Sequence, residues 1–367
     1  MSSRAARKPD SIEALRARID EINLEILKLV SERAGLAVEI GRLKHSTGAA
    51  VYHPAREREV VEAILAANAG PLSSEHLTRI FTEIISACRS LEHPPRVAFL
   101  GPEHTYSHEA ARSRFGSSVE FVPEASIAGV FEAAGNGRAD FGVVPIENST
   151  EGSVTLTLDL LIDTPLVIIG EILLPVRHAM LSRTGDRSTV RRIVSHQQSL
   201  GQCRIYLSKN FPGCELEAVA SNAVAAQRAA EDPSCAAIAS AAAAEPYGLK
   251  IIAENIQDVA QNTTRFLVLG ARPVERSGRD KTTVLFAVPD RVGALNHALG
   301  LFARNRINVT KIESRPLRGR PWEYLFFVDL AGHRNDPRVK RALASLAHRT
   351  LFLKVLGSYP EAKAAAG

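Results

Sequence analysis

Apolar residues near the start of the chain recur in alternating steps of three and four: Ile12, Leu15, Ile19, Ile22, Ile26 and Leu29, then Leu36, Ile40 and Leu43. That spacing keeps a single apolar stripe on one side of a helix. It predicts a helix from about Ser11 to Lys44, about 50 Å long at a rise of about 1.5 Å per residue. One slot of the seam, between Leu29 and Leu36, holds Arg33 instead. A helix of that length outruns a small domain, so its seam is expected to need a second chain, most simply in a homodimer. Breaks around His45 to Pro54 and at Gly70-Pro71 separate two further helical stretches. His93-Pro94-Pro95 closes the region, because consecutive prolines favour extended chain.

From Arg96 to about Ala271, short β-branched runs alternate with Ala-rich helical stretches, the pattern of an α/β domain. Arg272 to Asp280 reads as a polar linker. Lys281 to about Pro360 then reads strand, helix, strand, strand, helix, strand, a small ferredoxin-like α+β order. The expected domains are therefore 1–93, all-helical; 96–272, α/β; and 280–360, α+β.

Composition narrows the function classes. The 367 residues are 45% hydrophobic and 23% charged, which excludes a disordered or fibrous chain as the whole answer. No apolar run reaches the roughly 18 residues of a membrane span, and Met1 to Asp10 lacks the apolar core of a secretory signal. Cys88, Cys203, Cys214 and Cys235 form no C-x-x-C pair, which argues against a zinc ribbon or disulfide framework and fits a reducing cytoplasm. The net charge of +5 is a mild excess of 45 basic over 40 acidic residues, spread without a basic block, so nucleic acid is not an expected partner. Sites for small anions remain.

Arg33 and Lys44 are eleven residues apart, so they share a helix face to within about 20° and lie about 16 Å apart axially. Arg16 is seventeen residues from Arg33, about 25 Å along the axis, and would reach the same small ligand only from a partner chain. By pattern alone, the preferred reading of Arg33 is a side chain that snorkels at the edge of the seam. The stretch Ile12 to Lys44, with Ala55-Arg56-Glu57-Arg58 opening the next helix and Ile80 to Glu92 on the third, resembles the all-helical chorismate mutase domain. The resemblance implies functional roles for Arg16, Arg33, Lys44, Arg56 and Glu57, with His53, Cys88 and Glu92 completing the substrate contacts. The chemistry suits these residue types. Chorismate is a dicarboxylate whose pericyclic rearrangement needs no nucleophile, only a held conformer and stabilised charge on the ether oxygen. Arginine's fork matches carboxylates in two-point contact. His53 stands where some members carry Asp, and Glu92 where the best-known members carry a Gln that donates to the ether oxygen.

In the middle region, Gly101-Pro102, Thr105-Tyr106-Ser107, Pro145-Ile146-Glu147-Asn148-Ser149 with Gly152, Ser195-His196, and Asn262-Thr263-Thr264-Arg265-Phe266 follow or enter apolar runs. Each could line the mouth of an open sheet, while capping and turn hydrogen bonds explain many of the same residues. In this order they resemble prephenate dehydratase over about 175 residues, which implies two α/β lobes, periplasmic-binding-protein-like, with a cleft between them. It also implies Thr264 as the group donating a hydrogen bond to the departing hydroxyl. Thr105, Ser107, Glu147, Asn148, Ser149, Ser195 and Arg265 would be substrate-binding or site-organising residues, and no metal or organic cofactor is implied. His196 reads as structural, since no G-x-S-x-G elbow accompanies Ser195. His104, where Gly is common, and Gln197, where Pro is common, put local loop shape in question.

The last region resembles the ACT regulatory domain. Gly293-Ala294-Leu295 and Glu313-Ser314-Arg315-Pro316 match the phenylalanine-binding motifs of such dehydratases. All three resemblances, in one order, imply an enzyme that turns chorismate into prephenate and prephenate into phenylpyruvate, inhibited by L-phenylalanine. The alternatives are a dehydratase using its helical region only to dimerise, and a non-catalytic amino-acid sensor. An ionised Glu cannot donate a hydrogen bond, so the implied mutase rate is expected to fall as pH rises through the Glu92 pKa. Glu92→Gln should remove that fall; a pH–rate profile unchanged by the substitution would contradict it.

Overall fold

The computed structural model describes residues 11–47, 54–91, 94–316 and 324–362. Three helices open it: α1 (Ile12–Thr47), α2 (Pro54–Ala67) and α3 (Ser74–Ser90). Ser73 caps α3 by accepting from the backbone N–H of His76. Along α1 the seam residues Ile12, Leu15, Ile19, Ile22, Ile26, Leu29, Leu36, Ile40 and Leu43 are all 39–68% exposed in the single chain.

Two α/β lobes follow. The first contains β1 (Arg96–Leu100), α4 (Tyr106–Phe115), β2 (Glu120–Glu124), α5 (Ile127–Gly135), β3 (Phe141–Asn148), β4 (Gly152–Ser153), α6 (Thr155–Asp163) and β5 (Val167–Pro175). The chain then crosses into the second lobe: β6 (Ala179–Ser182), β7 (Arg192–His196), α7 (Gln197–Gln202), α8 (Arg204–Asn210), β8 (Glu215–Val219), α9 (Asn222–Glu231), β9 (Cys235–Ala239) and β10 (Lys250–Ala253). It returns as β11 (Thr263–Gly270), which inserts antiparallel between β3 and β5. The sheets run β2-β1-β3-β11-β5, with β4 paired to β3, and β10-β6-β9-β7-β8.

The third unit contains β12 (Asp280–Ala287), α10 (Ala294–Arg304), β13 (Val309–Pro316), β14 (Tyr324–Ala331), α11 (Pro337–Ala347) and β15 (Phe352–Pro360). Its antiparallel sheet has the order β13-β14-β12-β15, that of a ferredoxin-like fold. One face packs on α10 and α11 through Phe286, Phe302 and Leu346. The other lies against the first lobe, where Leu285, Phe327 and Tyr359 join a core with Ile168 and Leu267. At Gly357 a Cβ would collide with the carbonyl of Ile168, so the two sheets meet at backbone distance.

The helical unit docks on the first lobe. Gly116, with φ 73°, ends α4 in the left-handed region, and a Cβ there would collide with the Ser86 side chain of α3. Glu83 Oε2 accepts from both the N–H and hydroxyl of Ser117, and Arg58 donates to the carbonyl of Glu361 beyond β15. Among the described residues no helix is long and apolar enough to cross a membrane.

Candidate functional site

On α1, Arg33 and Lys44 are half-buried and Arg16 is exposed. Arg56 is exposed at the start of α2 and pairs with Glu59 at 3.0 Å. Glu57 is engaged elsewhere than the sequence implied. Its Oε1 lies 2.6 Å from Arg89, a buried arginine that also donates to the carbonyl of Phe115 at 2.8 Å. A buried arginine needs such a partner, so Glu57 here serves the junction between the helical unit and the first lobe. Cys88, next to Arg89 in α3, is buried. His53 and Glu92 lie outside the described residues.

Between the lobes, hydrogen-bond directions converge on Thr264. Asn148 Oδ1 accepts from the N–H and hydroxyl of Thr150 and from the N–H of Glu151, at 2.6–3.1 Å. That fixes the amide so that its Nδ2 donates to Thr264 Oγ1 and to Asn262 Oδ1, both at 2.8 Å. Asn262 Nδ2 donates to Gln202 Oε1 at 3.0 Å, and His178 Nε2 lies 2.8 Å from the same oxygen. Tyr106 stands 2.9 Å from His178 Nδ1. Burial lowers the His178 pKa, partly offset by the Gln202 bond, and burial raises that of Tyr106 well above its ordinary value. Both groups are therefore neutral near pH 7. With its oxygen already accepting from Asn148, the Thr264 hydroxyl is left to turn its proton toward the cleft. Asn262 lay inside the run that drew attention to Thr264. Tyr106 lay inside the Thr105-Tyr106-Ser107 run, whereas Gln202 and His178 carried no spacing signal of their own, because only the crossing segments bring them together.

Thr105 caps α4, accepting from the N–H of His108 and donating to the carbonyl of Leu100, while Ser107 is buried in the helix's first turn. Ser149, exposed, bonds the start of β11 through the N–H of Thr263 at 3.0 Å. Ser195 departs from its expected place in the cleft. It is fully buried and donates to the carbonyl of Ile238 at 2.7 Å, while His196 caps α7 with its ring nitrogen. They stabilise the β7–α7 corner and do not form a nucleophile and base. His104 holds φ 64°, the left-handed conformation that glycine adopts without strain. Its ring meets Tyr247 of the second lobe edge-on at 5.5 Å.

Arg265, expected either to bind a carboxylate or to organise the site, makes its contacts with the third unit. The pleat turns it away from the cleft and onto the third unit. Its guanidinium lies 2.7 Å from both Asp329 and Glu171 and donates to Tyr359 at 3.0 Å. Burial opposes the Arg265 charge, but Tyr359, Asp329 and Glu171 outweigh it and raise the pKa. Glu147, opposite Arg265 across the strands, pairs with Lys311 of β13 at 2.7 Å. The face of β13 that carries Lys311 also carries Glu313, which accepts from Ser153 at 2.9 Å, and Arg315, which pairs with Asp159 at 2.9 Å. Ser314 and Pro316 face outward. Gly293 (φ 78°) opens α10 in the left-handed region, and Ala294 and Leu295 form its first turn. Among the described residues no cluster of His, Cys, Asp or Glu could hold a metal ion.

Residues 97–274 match the prephenate dehydratase family, 15–93 the type II chorismate mutase family and 282–348 the ACT domain. A bifunctional chorismate mutase/prephenate dehydratase of Aquifex aeolicus (strain VF5) is 46% identical over 357 residues, covering 96% of this chain and 99% of that one. A prephenate dehydratase from Arthrobacter aurescens, solved in complex with L-Phe, superposes with a TM-score of 0.67 at 36% identity, over 72% of this chain and 90% of its own. GqqA, described as a novel type of quorum quenching acylase, gives a TM-score of 0.67 at 33% identity over 73% and 98%.

His108 provides a check on the loop that leads into α4. It stacks on Phe99 at 4.7 Å and accepts from the N–H of His104 at 2.9 Å. Burial brings its pKa from 6.5 down to about 4. Because the folded value is the lower one, the unfolded chain binds the proton first as pH falls. Stability from this group is full above about pH 6.5 and is lost progressively toward pH 4, a total of about 3 kcal/mol. An NMR titration should find the imidazole neutral until near pH 4; titration near the ordinary histidine value would contradict this.

Proposed function

The chain belongs to the bifunctional chorismate mutase/prephenate dehydratase family, and on that premise we propose that it catalyses both reactions, with L-phenylalanine restraining the second through the C-terminal domain. The observation that carries the dehydratase assignment is the Asn148–Thr264 contact of 2.8 Å at the cleft. Prephenate loses its ring carboxylate as CO2 and its 4-hydroxyl as water. Thr264 donates a hydrogen bond to the departing oxygen, and Asn148 holds the threonine oxygen so that its proton points there. A threonine hydroxyl is too weakly acidic to deliver the proton unaided, so delivery is shared with another donor. Thr105, Ser107 and Ser149 flank the cleft as substrate-binding groups, with Ser107 near the α4 N-terminus where an anion is favoured.

In the helical domain, Arg33, Lys44 and Arg56 bind the carboxylates of chorismate, and the compact conformer then rearranges. Arg16 joins them from a second copy of the chain. That copy also covers the α1 seam, since a stripe of large apolar side chains along a whole helix does not stay exposed in water. We place the protein in the cytoplasm, where its four free thiols stay reduced.

Two outcomes follow. Thr264→Ala should cut prephenate dehydration by about 100-fold or more while mutase activity stays unchanged, so that purified protein fed chorismate accumulates prephenate. Normal phenylpyruvate production by that variant would refute the role. The wild-type protein should sediment as at least a dimer. Ile22→Glu with Leu29→Glu should lower its mass and abolish mutase activity; a fully active monomer would overturn the shared site.

A further inference from the structure

We propose that Arg265 and Glu147 are positioning residues through which the C-terminal domain sets the orientation of Thr264. The proposal rests on the functional reading above and identifies the physical contact by which the two domains communicate.

The two residues form one rung of the β3–β11 ladder, with Arg265 opposite Glu147. The next rung is Thr264 opposite Asn148. The catalytic rung faces the cleft, and the other faces the C-terminal domain, where Asp329 and Lys311 hold it. A shift of Arg265 is transmitted to Thr264 through a single peptide bond.

Charge explains why the rung follows the C-terminal domain. The cluster has three bases, Arg265, Lys281 and Lys311, and three acids, Glu147, Glu171 and Asp329. The dehydratase side supplies Arg265, Glu147 and Glu171, a net of one negative charge. The C-terminal side supplies Lys281, Lys311 and Asp329, a net of one positive charge. Neutrality exists only across the interface. The side chains of Arg265, Glu171 and Asp329 are 11%, 1% and 5% exposed, so separating the partners would strand buried charge. Lys311 also lies two residues from Glu313 on the same face of β13. A ligand that displaces the Glu313-Ser314-Arg315-Pro316 strand therefore pulls on Glu147 through Lys311.

The test uses the full-length chain with Asp329→Asn, Lys311→Met and Lys311→Arg. Asp329→Asn should lower dehydratase kcat at least tenfold with KM changed less than twofold, and leave mutase activity, the internal check on folding, unaltered. Lys311→Met should still bind phenylalanine in equilibrium dialysis yet lose most of its inhibition, and Lys311→Arg should restore it. As a measurement that needs no variant, phenylalanine should change hydrogen exchange at β3 and β11 more than at β7 to β9. Wild-type kcat and full inhibition in both charge-removing variants, or exchange unchanged at β3 and β11, would overturn the proposal alone. A wild-type protein that leaves prephenate untouched would overturn the functional reading and this proposal with it.

Discussion

Strand β11 has to satisfy two surfaces with consecutive residues. It runs antiparallel between β3 and β5, in ladders that shift register between Arg265 and Phe266 against β3 and between Val268 and Leu269 against β5, and the pleat sends alternate side chains to opposite faces. Phe266 joins the core beneath α4, while Leu267 joins the core shared with the C-terminal sheet. The same alternation separates Thr264 from Arg265. A one-residue slip would exchange the threonine for a guanidinium at the cleft and bury a hydroxyl among charges. Correct register is therefore a condition for both the reactive geometry and the domain interface.

The remaining contacts strengthen that constraint. Lys354 reaches across to donate to the carbonyls of Leu161, Ile162 and Thr164, satisfying orphan acceptors at the end of α6. Gly357 lets β15 approach Ile168, and Arg58 ties α2 to the chain end beyond β15. On the other side, Arg89 joins Glu57 to the carbonyl of Phe115. The helical domain is thereby tethered both to the dehydratase lobe and to the C-terminal domain.

The sequence made the element types legible because periodicity is a local property. The apolar steps of three and four predicted a helix from Ser11 to Lys44, and α1 runs from Ile12 to Thr47. The strand–helix order of the last region appears as expected, giving β12, α10, β13, β14, α11 and β15. Facing direction was less legible. Thr264 and Arg265 stand side by side in the chain, and the motif left the arginine either a substrate contact or a site organiser; Asp329 and Tyr359, far along the chain, draw it to the face opposite Thr264. Ser195 looked available beside His196 but points under its own strand to Ile238. Glu313 and Arg315 read as effector ligands, and the structure shows them also committed to Ser153 and Asp159. In each case the deciding partner is distant in sequence, so no window along the chain contains it.

The polar groups at the lobe junction differ physically from those at the domain interface. Around Thr264 the partners are neutral: amides, a hydroxyl, a phenol and an imidazole held uncharged by burial. Neutral dipoles fix an orientation without imposing a strong field on a dianionic substrate. At the interface the partners are full charges in a nearly dry setting, where net stabilisation is small but misalignment is costly. Such a cluster contributes little to holding the domains together beyond what the apolar contacts of Leu285, Phe327 and Tyr359 already supply. Its effect is to make one docking geometry strongly preferred over its neighbours. A regulatory domain needs two such distinct geometries, because an effector shifts the balance between them only by as much as its affinity for the two differs.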